Sequence, residues 1–327
     1  MHRALLIALI PVLATTGLHP VAEPLTFLRA VDMPGVKGRI DHLAVDLSSG
    51  RLFVAALGND TVEVIDGRAG TRLRRLTGFH EPQGIAYVPD AGLVAVANGQ
   101  SGDLVLLQSA DGRVVKAVPL GGDADNVRYD AAAKRLFVGY GSGAIAAVDL
   151  EGQRAGDVKL QGHPESFQLE RNGSRIFVNV PDARHIAVLD RAAMKLIGTW
   201  PVTEAAANYP MALDEANHRL FIGCRNPAMV LIYDTTSGKR VGSSPIVGDT
   251  DDLFYDAARK RLYVTGGEGY IDVFQQNHAN QVTRIARVPS AGGARTSLYV
   301  PDEGRLYLAV PLRGAQKSEI RIYEVHD

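Results

Sequence analysis

Gly248-Asp249-Thr250-Asp251-Asp252-Leu253-Phe254-Tyr255-Asp256-Ala257-Ala258-Arg259-Lys260-Arg261-Leu262-Tyr263-Val264, continued by Gly266-Gly267-Glu268-Gly269-Tyr270-Ile271-Asp272-Val273-Phe274, decides the fold. It reads as a polar lead-in, an apolar strand, a tight polar turn, a second strand, a glycine-rich turn and a third strand. The rest of the chain repeats this unit.

The aliphatic residue opening each second strand marks the repeat: Leu52, Leu93, Leu136, Ile176, Leu220, Leu262 and Leu306, spaced 40 to 44 residues apart. A period of about 40–45 residues is that of a four-stranded propeller blade. Around six of these anchors the wording recurs, as Arg51-Leu52-Phe53-Val54, Arg135-Leu136-Phe137-Val138, Arg175-Ile176-Phe177-Val178, Arg219-Leu220-Phe221-Ile222, Arg261-Leu262-Tyr263-Val264 and Arg305-Leu306-Tyr307-Leu308. The second unit has a shortened turn and reads Gly92-Leu93-Val94-Ala95-Val96. The expected fold class is therefore all-β, a seven-bladed β-propeller of four-stranded blades.

The 327 residues would suggest two domains by length alone. A closed ring of repeats uses that length as one, assigned to 23–327. A hydrophobic fraction of 46% is ordinary for a globular chain, and a formal charge of −1 gives no reason to propose nucleic acid or an anionic membrane as partner. Met1-His2-Arg3 is a short basic start, followed by the apolar run 4–14 and then small residues. That run is too short to span a bilayer, so 1–22 reads as a secretory signal peptide and the protein as periplasmic or secreted. Cys224 is the one cysteine, which excludes an intramolecular disulfide, a Cys-x-x-Cys-His haem attachment and a thiolate zinc site. Directly after Phe221-Ile222-Gly223, it is expected to be a buried thiol.

Residues 26–32 resemble the fourth strand of later units, for example 281–287, whereas the last unit runs out after its third strand at 319–325. The N-terminal strand is expected to complete the last blade and so remove an open edge. Asp, Ser, Gly and Asn supply the turns, as in Asp46-Leu47-Ser48-Ser49-Gly50 and Gly141-Ser142-Gly143. Within 202–208, Thr203-Glu204-Ala205-Ala206-Ala207 suggests one helical turn.

The units resemble the YVTN or YncE-like family of secreted bacterial seven-bladed propellers. The nearest wording is Gly38-Arg39-Ile40-Asp41-His42-Leu43-Ala44-Val45-Asp46, Arg51-Leu52-Phe53-Val54-Ala55, Gly248 to Asp252, and Gly293-Ala294-Arg295-Thr296-Ser297. The Tyr-Val-Thr-Asn tetrapeptide survives in part, as Tyr263-Val264-Thr265-Gly266. The resemblance covers the chain after residue 22. It implies the fold and a secreted location, and it assigns no chemistry.

First strands line the channel of a propeller, and the loops leading into them share one face with the turns joining second to third strands. Aligning the seven units puts Asp41, Gln83, Asp125, Glu165, Tyr209, Asp251 and Arg295 in one ring. Next to them stand His42, Gly84, Asn126, Ser166, Pro210, Asp252 and Thr296; two positions before the first ring stand Arg39, Glu81, Asp123, His163, Ala207, Asp249 and Gly293. The candidate ligand-binding set is Asp41, His42, Asp125, Asn126, Glu165, Asp251, Asp252 and Arg295. Crowded acids at an acidic funnel mouth raise one another's pKa or hold a cation. The plain alternative is a water-filled, acid-rimmed channel, with His42 a structural histidine and Arg295 closing the ring by an ion pair. His185, in a turn, is expected to be exposed.

No Gly-x-Ser-x-Gly elbow, His-Glu-x-x-His pair or Gly-x-x-x-x-Gly-Lys loop occurs, and Asp249-Thr250-Asp251-Asp252 lacks the glycine and later glutamate of an EF-hand. No cofactor is assigned, and a divalent metal held by several blades stays open. The expected partner of this monomer is a small polar ligand, a cation or a protein, bound at the funnel. The rivals are a hydrolase- or lyase-like propeller enzyme using His42 with acids, and a protein-interaction scaffold.

Overall fold

The computed structural model describes residues 23–327. The expected signal peptide, 1–22, lies outside the described residues. Twenty-eight strands form seven four-stranded antiparallel sheets, and the two short helical segments are single 3-10 turns. No helix among the described residues is long and apolar enough to cross a membrane. Blade one runs through Leu43–Asp46, Arg51–Ala56, Thr61–Asp66 and Thr71–Thr77, paired in that order, and blades two to six repeat the pattern. Blade seven is built from Ser297–Val300, Arg305–Val310, Glu319–Val325 and, outermost, Leu25–Asp32. The N-terminal strand pairs with Glu319–Val325 from Leu25↔Val325 to Asp32↔Glu319, so the ring is closed as expected.

The recurring Arg-Leu-Phe-Val wording has its reason in this arrangement. Second strands are buried on both faces, so successive side chains alternate between the two neighbouring blades. Leu52 and Val54 pack with Tyr307 and Ala309 of blade seven, while Phe53 and Ala55 pack with Ile85 and Val94 of blade two. The core is accordingly seven wedges, one at each blade junction. Leu43, Ile85, Val127, Phe167, Met211 and Leu253, the apolar positions after the polar rings, all lie in these wedges.

At the far end of the first strands the acids serve the backbone. Asp46, Asp130 and Asp256 each accept a hydrogen bond from the backbone N–H two residues on, at 3.0, 3.1 and 3.0 Å. These are Asx turns, and they separate structural acids from those at the opposite mouth. The proposed helical turn in 202–208 does not form. Ala206 begins the strand Ala206–Asp214, and pairing of Ala206 with Asn226 and of Asn208 with Cys224 holds this segment in the blade-five sheet. Local helix propensity yields there to sheet pairing.

Candidate functional site

The polar rings depend on an irregularity shared by the blades. In blade one, Asp41 N–H donates to the Ala55 carbonyl at 2.8 Å and Ala55 N–H donates to the His42 carbonyl at 3.0 Å. Two residues thus oppose one. Blade four repeats this, with Asn179 opposite Glu165 and Ser166 at 2.9 and 3.1 Å. The register also shifts between Pro82 and Ile85, Ala124 and Val127, Asn208 and Met211, and Thr250 and Asp252. A β-bulge re-aims side chains that a regular strand would send to opposite faces. It lets Asp41 and His42 stay side by side, 3.8 Å apart. Gly84 sits at the same position in blade two because a Cβ there would lie 2.0 Å from the Asp125 carbonyl oxygen.

Five of the eight candidate residues meet in one network across blades five, six, seven and one. Asp251 lies 2.7 Å from Arg225 and 3.2 Å from Arg295, and Asp41 lies 2.9 Å from Arg39. Arg295 also holds Asp249 at 2.8 Å, and Arg225 stacks over the Tyr209 ring with its guanidinium carbon 4.0 Å from the centroid. His42 stands between Asp41 and Asp252, 3.8 and 3.6 Å away, while Asp252 accepts from Ser297 N–H at 2.8 Å. Thr296 Oγ1 donates to the Ile40 carbonyl at 3.0 Å and so ties blade seven to blade one. The ring-closing ion-pair reading of Arg295 therefore describes its contacts.

Asp125 and Glu165 form a separate group with His163, in blades three and four. One donor atom from each lies within 4.8 Å of the others. His163 Nε2 is 3.6 Å from Asp125 Oδ2, and its Nδ1 is 2.6 Å from the Gly141 carbonyl oxygen. Among the described residues no guanidinium comes within 4 Å of Asp125 or Glu165. Asn126 shares the Asp125 bulge, is buried, and has no hydrogen-bond donor on its Oδ1.

Protonation follows these surroundings. Burial pushes the Glu165 carboxyl up to about 8, reinforced by Asp125 and Asp251. Burial likewise raises Asp251, to about 6, against the pull of Arg225. For His42 burial favours the neutral ring, but Asp252 and Asp41 outweigh it and lift the imidazolium to about 10. His163 is lifted to about 9 in the same way, burial opposing and Asp125 with the Gly141 carbonyl prevailing.

Arg128 is the floor of the mouth. It donates to the Val127 carbonyl at 2.9 Å and to Ser166 Oγ at 3.4 Å. A cavity of about 770 Å³ runs down the channel from His42, Asp252 and Arg128 past Val45, Phe254 and Leu298. The acids at the mouth are accompanied by Arg39, Arg225, Arg295 and Arg128, which bring positive charge among them. Nothing in the repeat pattern singles out Arg225 or Arg128. Arg225 lies in Arg219–Asn226, a second strand outside the aligned rings, and Arg128 lies three residues beyond the first ring. His185 is a correction. It starts the strand His185–Asp190, is buried, and its imidazolium is disfavoured by that burial. Cys224 is buried as expected, its thiol pushed up to about 12 by desolvation.

No protein-family model and no curated protein matches this chain. Among solved structures it is similar to a chain in a crystal structure of a mitotic checkpoint complex, with TM-score 0.79, 15% identity, and coverage of 100% of this chain and 99% of that one. It is also similar to a chain of hydrazine synthase from Kuenenia stuttgartiensis, with TM-score 0.72, 15% identity, and coverage of 86% and 99%. At such identity the likeness establishes the propeller fold alone.

Proposed function

We propose that this propeller is a secreted or periplasmic binding protein of the YVTN/YncE-like kind, taking a small polar ligand with a cationic group at the mouth. The observation that carries the reading is the pair Asp125, buried, and Glu165, half-buried: carboxyls at the funnel with no guanidinium within 4 Å. Asp125 has one imidazole as its close cationic partner and desolvation holds Glu165 toward its protonated form, so a bound cation would stabilise both carboxylates. Across the mouth, Arg39 and Arg295 are placed to orient an anionic group on the same ligand. Location is supported by the basic start and short apolar run of 1–22. Intact mass of the exported protein is expected to lack about 17–22 residues; Met1 retained on membrane-extracted protein overturns the location.

Exposed large apolar side chains such as Phe27, Leu73, Val114, Ile197 and Ile285 are spread over the outermost strands of five blades. They do not single out one docking face, which weakens the scaffold reading. The experiment is a calorimetric screen of amines, amino acids and polyols against wild type, Asp125→Asn, Glu165→Gln and Ser48→Ala, the last at the far face. Loss of one charged hydrogen bond is expected to weaken binding by about 1.5–3 kcal/mol, roughly ten- to a hundredfold, in the first two variants. Equal binding by all four puts the site elsewhere, and turnover lost in His42→Ala moves the protein to the enzyme reading.

A further inference from the structure

The half of the mouth formed by blades three and four has the donor set of a metal centre. We propose that Asp125, His163 and Glu165 bind a divalent first-row transition ion, such as Zn²⁺, with a coordination position left open toward the funnel. This assignment rests on the reading of the mouth as the binding site.

Spacing supports it first. Two ligands about 2.0–2.2 Å from one tetrahedral ion stand about 3.3–3.6 Å apart. His163 Nε2 and Asp125 Oδ2 are 3.6 Å apart, and all three donors fall within 4.8 Å. That Nε2–Oδ2 separation is too long for a hydrogen bond and right for two ligands of a shared ion.

Orientation supports it next. His163 Nδ1 lies 2.6 Å from the Gly141 carbonyl, to which its N–H donates. A metal-binding histidine commonly donates its other ring N–H in this way, fixing which nitrogen faces the ion. Pro164 separates His163 from Glu165 and holds the intervening backbone extended. Its ring is seated against Gly139, where a Cβ would come within 3.0 Å of Pro164 Cγ. Both ligands of blade four are therefore held on a stiff segment.

Burial at Asp125 is independent of both. The Asp125 side chain is nine-tenths buried, at 9% exposure, and its nearest charged neighbour is that Nε2 at 3.6 Å. A buried carboxylate whose close cationic neighbour is a single imidazole is a position where a metal ion can replace the proton between them. One imidazole with two carboxylates suits zinc, manganese or iron better than calcium, which takes six to eight oxygens. Three protein ligands leave room for water or for a polar group of the funnel ligand. On binding, the ion takes the place of any proton on His163 Nε2, and that proton goes to solvent.

The test is calorimetric titration of tag-free, chelator-treated protein with ZnCl₂, with Mn²⁺ and Ca²⁺ as parallel arms and metal content measured by mass spectrometry. One Zn²⁺ per chain is expected, weakened at least about a hundredfold in His163→Ala and Asp125→Asn and changed less than about threefold in Ser48→Ala at the far face. Glu165→Gln keeps the shape of the side chain and is expected to weaken binding about tenfold or more, so a folding defect in one variant does not blunt the test. Absence of saturable binding by folded protein, equal affinity in all variants, or calcium as the tightest ion overturns the proposal. Zinc bound without any polar metabolite supports the metal and overturns the ligand reading. A metabolite bound equally well in chelator supports the ligand reading and overturns the metal.

Discussion

The two halves of the mouth occupy equivalent positions in equivalent blades and are built to different ends. From blade five round to blade one, Asp251 and Asp41 sit 2.7 to 3.2 Å from Arg225, Arg295 and Arg39. In blades three and four, Asp125 and Glu165 have one histidine between them and no arginine within 4 Å. The first half neutralises itself and holds the ring together. The second sets two carboxyls against a single imidazole at the funnel, the kind of strained electrostatic arrangement that ligand sites retain.

The largest expected effect breaks the comparison by opening the ring through the self-neutralised half. Deleting 25–32 removes buried Leu25 and Val31 and exposes the Glu319–Val325 edge. Burial of those two side chains alone amounts to about 3–6 kcal/mol, and the bare edge invites association. Size-exclusion chromatography is expected to show oligomers, with a much lower melting temperature; an unchanged monomer refutes closure by this strand. Next, Arg225→Met leaves buried Asp251 without its 2.7 Å partner and removes the bond to the Thr250 carbonyl. A loss of about 3 kcal/mol in urea unfolding is expected; a loss below about 1 kcal/mol would mean that this half is not neutralised as described.

Gly84→Ala sharpens the comparison from the other side. Its Cβ would meet the Asp125 carbonyl at 2.0 Å, so the blade-three bulge must shift. The expected cost is about 1–3 kcal/mol, together with weaker binding at Asp125 in the calorimetric screen. The smallest effect is in pH. His42 is lifted from 6.5 to about 10, so its stabilisation is full below 6.5 and fades as pH rises toward 10. Urea midpoints at pH 6, 8 and 9.5 are expected to fall in wild type and to fall less in His42→Gln. Parallel curves would show that His42 does not titrate between the two acids.

The ring itself was legible because each blade presents its lead-in at the same place in the repeat, so Asp41, Asp125, Glu165 and Asp251 align by counting from Leu52, Leu136, Ile176 and Leu262. N-terminal closure was legible for the same reason: 26–32 carried the fourth-strand pattern and 319–325 lacked a successor. The division of the mouth was not. Arg225 enters from a second strand, at a position whose counterparts in other blades are not arginine, and no local pattern ties it to Asp251 across 26 residues. The bulge that keeps Asp41 and His42 side by side at the mouth is a register feature invisible in composition. His185 reads as a turn residue next to Pro181-Asp182-Ala183-Arg184, yet it opens the third strand of blade four, paired with Val180 and Pro201, and is buried. The helical reading of 202–208 failed because three alanines say nothing of the sheet that claims their last two.

The central claim is that Asp125 and Glu165 are kept for a ligand and not for the fold. Urea unfolding of the double variant Asp125→Asn/Glu165→Gln, beside wild type in metal-free buffer, tests it most directly. Structural acids would be missed, whereas acids kept for a ligand would not. The predicted result is a stability equal to wild type within about 0.5 kcal/mol, or higher. A loss of more than about 2 kcal/mol with the fold intact would contradict it, making these carboxyls part of the scaffold.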